Sequence, residues 1–244
     1  MQERRCFNML LIDQGGSGKT ALIREVVLPA MDFIFPRILP KANTSSLIVC
    51  ASWSQAENIS TATHKAISCH RAGVLGIQSF RNTFMLPGEK RPALTRTWEP
   101  LRCLIMEETS MISPALYNML LYRSYHGRKQ HWDVDESQYD KLNGAFGRMP
   151  IVIHLGNLLQ LKPTATNISL ISGKLEIEGQ GEGIPAEQQS AMKLFCRTPL
   201  CFELQESNRI KEPKLRALMN FMRDPPKKIT PEIEELWKSI QLKE

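Results

Sequence analysis

The sequence predicts an α/β fold, a mostly parallel sheet with helices on both faces, and three observations carry that reading. Short apolar runs recur at Cys6 to Ile12, Ser46 to Ala51, Leu101 to Met106 and Ile151 to Leu155, each the length of a buried strand and without polar alternation. The segments between them are long enough for the crossovers that parallel strands require, and several have helical spacing. The first run passes directly through a glycine-rich turn into a helix-patterned segment.

In chain order, the strand at Cys6 to Ile12 is bounded by Asp13 and glycines, and a helix is predicted from Lys19 to Ala30, closed by Pro29. The run Ser46 to Ala51 is the second strand and Leu101 to Met106 the third, followed by a helix from about Pro114 through Leu116, Met119, Leu120 and Tyr122. Ile151 to Leu155 is the fourth strand. The polar stretches His126 to Gly147 and Asn167 to Gln189 read as surface loops. Residues 1–224 are expected to form one domain, and residues 225–244 a polar tail with a weak amphipathic helix from Pro231 to Ile240.

A chain of 244 residues with 42% hydrophobic and 23% charged side chains can bury a sizeable core, which excludes disordered, collagenous and coiled-coil classes. No window approaches the length of a membrane span, so no membrane partner is expected. The six cysteines fall singly, with no CxxC pair and no zinc spacing, and read as buried thiols of a reducing, intracellular compartment. A net charge of +6 tilts the expected partner towards a polyanion.

The most informative residues are DQGGSGKT, Asp13 to Thr20, between the first strand and its helix. This is nearly the phosphate-binding loop GxxxxGK[ST]. Glycines let successive N–H groups turn around phosphate oxygens, and the helix N-terminus favours their charge. Gly15, Gly16, Ser17, Gly18, Lys19 and Thr20 are the candidate nucleotide-binding residues, with Lys19 reaching the β- and γ-phosphates and Thr20 offering its hydroxyl to Mg²⁺. Asp13 stands where the pattern has glycine, placing a carboxylate near the phosphates. A glycine-rich turn with a fortuitous lysine is the alternative.

In LRCLIMEETSM, Glu107 and Glu108 end the third strand, at the edge where open α/β sheets bind ligands. In a motor ATPase the first carboxylate holds Mg²⁺ and the second orients and deprotonates the attacking water. Glu107 replaces the usual Asp and is longer by one methylene. The alternative is that both carboxylates cap the following helix.

With EETSMISPALYNML, HLGNLLQLKPT and FELQESNRIKEPKLRALMNFMR on the page, the chain resembles the Pif-one and RecD-type DNA helicases of superfamily one over about Leu10 to Arg223. The similarity is to their first RecA-like P-loop NTPase domain. Ser110 and Met111 match the family's acidic strand end, and Gly156, Asn157, Gln160, Leu161 and Pro163 match its third motif. The resemblance implies that Gln160 senses the γ-phosphate and that Arg209 contacts it, and it places Asn157 where the family has Asp. The run ENISTATHKAI resembles the single-strand-binding segment, which makes Thr63 and His64, with Ser52 in the preceding ASWSQ, candidate DNA contacts. Trp53, Phe80, Arg71 and Arg81 are further side chains of the right type for base stacking or backbone contact.

The resemblance implies an ATP hydrolase and DNA helicase of 5′-to-3′ direction. Its implied ligands are ATP and Mg²⁺, its track single-stranded DNA, and its processes DNA repair, recombination or telomere maintenance. Nuclear localisation is implied if the source is eukaryotic, together with a second RecA-like domain in a longer chain. Two other readings stand beside it. One is a P-loop pseudoenzyme that binds nucleotide or DNA after Asp13, Glu107 and Asn157 have eroded hydrolysis. The other is a small-molecule kinase, which leaves the last two motifs unexplained.

Overall fold

A parallel strand covered on both faces has to be apolar nearly throughout, and the central strands carry that signature. The structure, a computed structural model, describes residues 6–13, 16–35, 45–74, 88–132, 145–157, 163, 168–170, 184–204 and isolated positions from 211 to 238, with backbone alone at 13 and 129–132. Strands β1 (Phe7–Asp13), β2 (Ser46–Cys50), β3 (Ala66–Ser68), β4 (Cys103–Glu107), β5 (Ile151–Gly156) and β6 (Leu200–Leu204) form one sheet. Their order is β3-β2-β4-β5-β1-β6, and every neighbouring pair is parallel. Every residue of β2 and β4 is buried.

Alternate side chains of these strands feed two separate cores. Leu47, Val49, Leu104, Met106 and Val152 pack on one face with α4 (Cys69–Ala72), α5 (Arg91–Trp98), α6 (Pro114–Trp132) and α7 (Ala186–Cys196). Ile48, Cys50, Cys103, Ile105, Ile153 and Leu155 pack on the other, against α1 (Lys19–Leu22), α2 (Leu28–Ile34) and α3 (Trp53–Ile59). Each fully buried Leu, Ile or Met in these layers contributes about 1.5–3 kcal/mol.

The structure revises four local expectations. Pro29 does not end the first helix: a π-helical turn, Ile23–Val27, joins α1 to α2, and the proline sits in the first turn of α2, where its missing N–H costs little. The stretch read as a polar loop from His126 is helical to Trp132, and Gly127 and Arg128 are buried. Arg128 is held by backbone carbonyls, its Nε donating to Gly147 O at 3.0 Å and its Nη1 to Trp98 O at 2.9 Å and Leu101 O at 2.6 Å. Burial, and then neighbouring Arg102, lower its pKa to about 10, so it stays charged at neutral pH. Part of the second presumed loop is also ordered, since Ser169 and Leu170 are buried and α7 begins at Ala186. Strands β3 and β6 were not expected. Of the polar tail from 225, only isolated positions are described.

At the centre of β5, His154 is completely buried. Its Nδ1 lies 3.3 Å from Met9 O on β1 and its Nε2 3.0 Å from Tyr117 Oη on α6. A carbonyl can only accept, so Nδ1 carries the proton and Nε2 accepts from the phenol. The ring packs edge-on against Phe195 at 5.2 Å. Burial lowers the His154 pKa to about 4.

The unfolded chain takes up this proton below about pH 6.5 and the folded chain does so only near 4, so the unfolded state binds more protons in between. Stability is therefore whole above pH 6.5 and falls by roughly 3 kcal/mol on descent to pH 4. Urea unfolding at stepped pH is expected to show wild type losing that much more than His154→Gln across this window. Equal losses in the two proteins would refute the assignment.

Candidate functional site

Because all strands run in one direction, their C-terminal ends share one edge of the sheet. Asp13 ends β1 there, Cys50 β2, Ser68 β3, Glu107 β4 and Gly156 β5. Strand β5 lies between β1 and β4, so the end of β5 separates the glycine loop from the carboxylates.

Gly16 has φ +78° and Gly18 φ +94°, backbone that an L side chain resists. A Cβ on Gly18 would meet no atom within 4 Å, so conformation rather than space demands glycine here. The helix begins at once, with Leu22 N donating to Gly18 O at 2.9 Å. Gly18 has no side chain to cap the first turn, and a helix N-terminus favours negative charge. Lys19 is buried, while Ser17 and Thr20 are half-buried. Gly15 lies outside the described residues.

Glu107 is the buried last residue of β4. Glu108 follows in left-handed backbone, φ 50° and ψ 48°, a conformation that costs a residue with a side chain roughly 1–2 kcal/mol. Two contacts brace it: Met111 N donates to Glu108 O at 2.9 Å, and Thr109 Oγ1 donates to Met106 O at 2.9 Å. The start of α6 is capped by Ser113, whose Oγ accepts from Leu116 N at 3.2 Å. That work does not fall to the glutamates, which removes the capping alternative for them.

The electrostatics agree with this placement. Cys50 pairs in register with Glu107, and its thiol is pushed up to about 12 by burial first and then by the Glu107 and Glu108 carboxylates. Gly156 meets the same turn backbone to backbone, since a Cβ there would stand 3.4 Å from both Thr109 N and Ser110 N. Half-buried Asn157 follows it. Gln160 and Arg209 lie outside the described residues, as do Phe80 and Arg81.

The three candidate DNA contacts separate. Ser52 stands at the ligand edge, but its side chain is engaged in a capping box. Its Oγ accepts from Gln55 N at 3.3 Å, and its own N donates to Gln55 Oε1 at 3.1 Å. Thr63 and His64 precede β3 and therefore lie at the opposite edge. His64 is buried, with Nε2 3.1 Å from Asp32 Oδ2 and Nδ1 2.9 Å from Thr63 Oγ1, so it pins the entry of β3 to α2. The structure does not bring these two residues to the site. Beyond β3 it brings half-buried His70 and exposed Arg71 to that edge. The sequence could not place His70 at this edge, because a strand of three residues is too short for periodicity to reveal.

The donor set suits a hard cation. Thr20 and Glu107 offer oxygen ligands at neighbouring parts of one edge, and Mg²⁺ is usually held by one or two such groups together with substrate phosphates. No cluster of three His, Cys, Asp or Glu that could cage a metal occurs among the described residues. None of their helices is long and apolar enough to cross a membrane.

No family model matches the chain, and no curated protein matches it. Solved structures match it in fold. The Pif1 helicase from Bacteroides in complex with ADP-AlF3 and ssDNA aligns with a TM-score of 0.60 at 17% identity, over 100% of this chain and 48% of that one. The Pif1 helicase from Candida albicans gives 0.59 at 21%, over 89% and 40%, and Bacteroides Pif1 bound to ssDNA gives 0.58 at 18%, over 96% and 46%. The chain spans less than half the length of these structures. Its parallel sheet and flanking helices have the fold of the RecA-like P-loop domain of the Pif1 helicases.

Proposed function

We propose that this chain is the ATP-hydrolysing motor domain of a helicase that moves on single-stranded DNA. The observation that carries the reading is the meeting, at one sheet edge, of a left-handed glycine loop, buried Lys19 and the Glu107–Glu108 pair, with one strand between them. Loop N–H groups and Lys19 hold the phosphates. Thr20 and Glu107 are the residues that would hold Mg²⁺, which when bound neutralises charge on the phosphate oxygens. Glu108, raised into left-handed backbone at the strand end, accepts a proton from the attacking water. Gln160 and Arg209 complete the γ-phosphate contacts in this reading, and Asn157 links them to the DNA side.

Neighbours of the same fold bound to ssDNA and to ADP-AlF3 support these ligands. The 5′-to-3′ direction, a role in repair, recombination or telomere maintenance, a second RecA-like domain and a nuclear location in a eukaryotic source belong to the same proposal, on the resemblance alone. The identities of Asp13, Glu107 and Asn157 favour one second reading, a module that binds without hydrolysing.

Steady-state ATP hydrolysis with Mg²⁺ separates the two. Turnover stimulated by single-stranded DNA and abolished in Lys19→Ala is expected, and an unchanged rate in that variant would sink the site. Glu108→Gln should keep nucleotide affinity within a few-fold while turnover drops roughly 100-fold or more, the size of a general-base contribution. Loss of binding instead would make Glu108 structural. Asn157→Asp, by restoring a charge where the nucleotide and DNA sides meet, is expected to raise DNA-stimulated hydrolysis. An unchanged stimulation in that variant would detach the position from coupling.

A further inference from the structure

A residue with a side chain keeps left-handed backbone only where its surroundings hold it there. Four described residues other than glycine do so, and Glu108 is the one on which the proposed hydrolysis depends. The bonds within its own turn, from Thr109 to Met106 O and from Met111 to Glu108 O, are local, each spanning three residues. Gln55 reaches the turn from another element.

Strands β2 and β4 are neighbours, with Cys50 opposite Glu107, so the turns that leave their C-terminal ends stand side by side. Half-buried Gln55, in the first turn of α3, joins them: its Nε2 donates to Met111 Sδ at 3.1 Å. A thioether only accepts, and the other end of the carboxamide, Oε1, accepts from Ser52 N at 3.1 Å. The network therefore fixes one orientation of the amide, with oxygen on the α3 backbone and NH2 on sulfur. Capping α3 requires only the oxygen. The second bond is surplus to the cap, and it falls on the residue whose N–H closes the Glu108 turn.

We propose that Gln55 is a positioning residue for Glu108, acting through the Met111 thioether to hold the Thr109–Met111 turn in place. This rests on the reading of Glu108 as acceptor of a proton from the attacking water, and adds two side chains to which that reading gives no part. Neither carries the proton; together they set where the Glu108 carboxyl stands. One neutral contact to sulfur is modest in energy, but a displacement of about 1 Å at a reacting group can cost on the order of 100-fold in rate.

Two substitutions break the contact from opposite ends. Gln55→Glu keeps the oxygen that caps α3 and removes the donor, and Met111→Leu keeps the volume and removes the sulfur. Steady-state ATP hydrolysis with Mg²⁺ by the whole chain is expected to show kcat about tenfold lower in each, with KM within about twofold and thermal midpoints within a few degrees of wild type. The double variant is expected to fall no further than the worse single, because the same contact is lost in all three. In a Glu108→Gln background, where no base remains to be positioned, neither substitution should lower the residual rate. A second tenfold loss there would show a general structural effect and overturn the proposal. If both substitutions leave kcat at the wild-type value while Glu108→Gln stops turnover, the positioning role is wrong and the motor-domain reading stands. If wild type hydrolyses no ATP, or Glu108→Gln hydrolyses it at the wild-type rate, the reading of Glu108 fails and the positioning role with it.

Discussion

Parallel strands cannot be closed by hairpins, and this constraint organises the rest of the molecule. Each strand must hand over to a crossover, so each C-terminal end opens a loop, and all six ends gather at one edge. Residues remote in sequence, Lys19, Trp53, Glu107 and Asn157, are thereby assembled without any contact specifying them individually. The strand order adds a second constraint. With β5 between β1 and β4, the strand end that opens the glycine loop and the strand end that carries the carboxylates are two strand spacings apart, about 10 Å.

That separating strand is fixed more firmly than its neighbours' packing alone requires. Parallel pairing sets its register to β1 and β4, and His154 adds a polar fastening on each side, to the β1 backbone and to Tyr117 of α6. Such a fastening is costly to leave half-made in a dry interior, which is why it specifies one arrangement. Two residues on, Gly156 lies against the carboxylate turn. The strain held at Glu108 is offset by the bonds of Thr109 and Met111, so the turn keeps one geometry. These pieces form one continuous seam from the β1 backbone through β5 to the carboxylate turn.

Much of this was legible from the sequence, and the limits have physical causes. Strands β1, β2, β4 and β5 announce themselves because both faces are covered and each must be continuously apolar. The glycine loop is readable because left-handed backbone selects glycine. Strand β3 is too short to show a pattern, and β6 carries exposed Cys201, Phe202 and Glu203, so neither meets that rule. Pro29 misled because a π turn absorbs it. His64 misled because a histidine near a strand looks the same in sequence whether it meets Asp32 or a ligand. The buried Arg128 was hidden in a polar run, since only tertiary structure places three carbonyls around it.

The three departures from the family pattern read differently once they are placed on one edge. Taken singly, an acid at position 13, a longer acid at 107 and an amide at 157 each look like damage. Taken together, the family pattern puts acids at the positions of Glu107, Glu108 and Asn157, whereas this chain has them at Asp13, Glu107 and Glu108. The number of carboxylates at the strand ends is the same. Position 13 ends β1 and position 157 follows the last residue of the adjacent strand β5, where Ile12 pairs with Gly156 in register. The acid that the family pattern places after β5 thus has a counterpart in this sequence at the end of the adjacent strand β1.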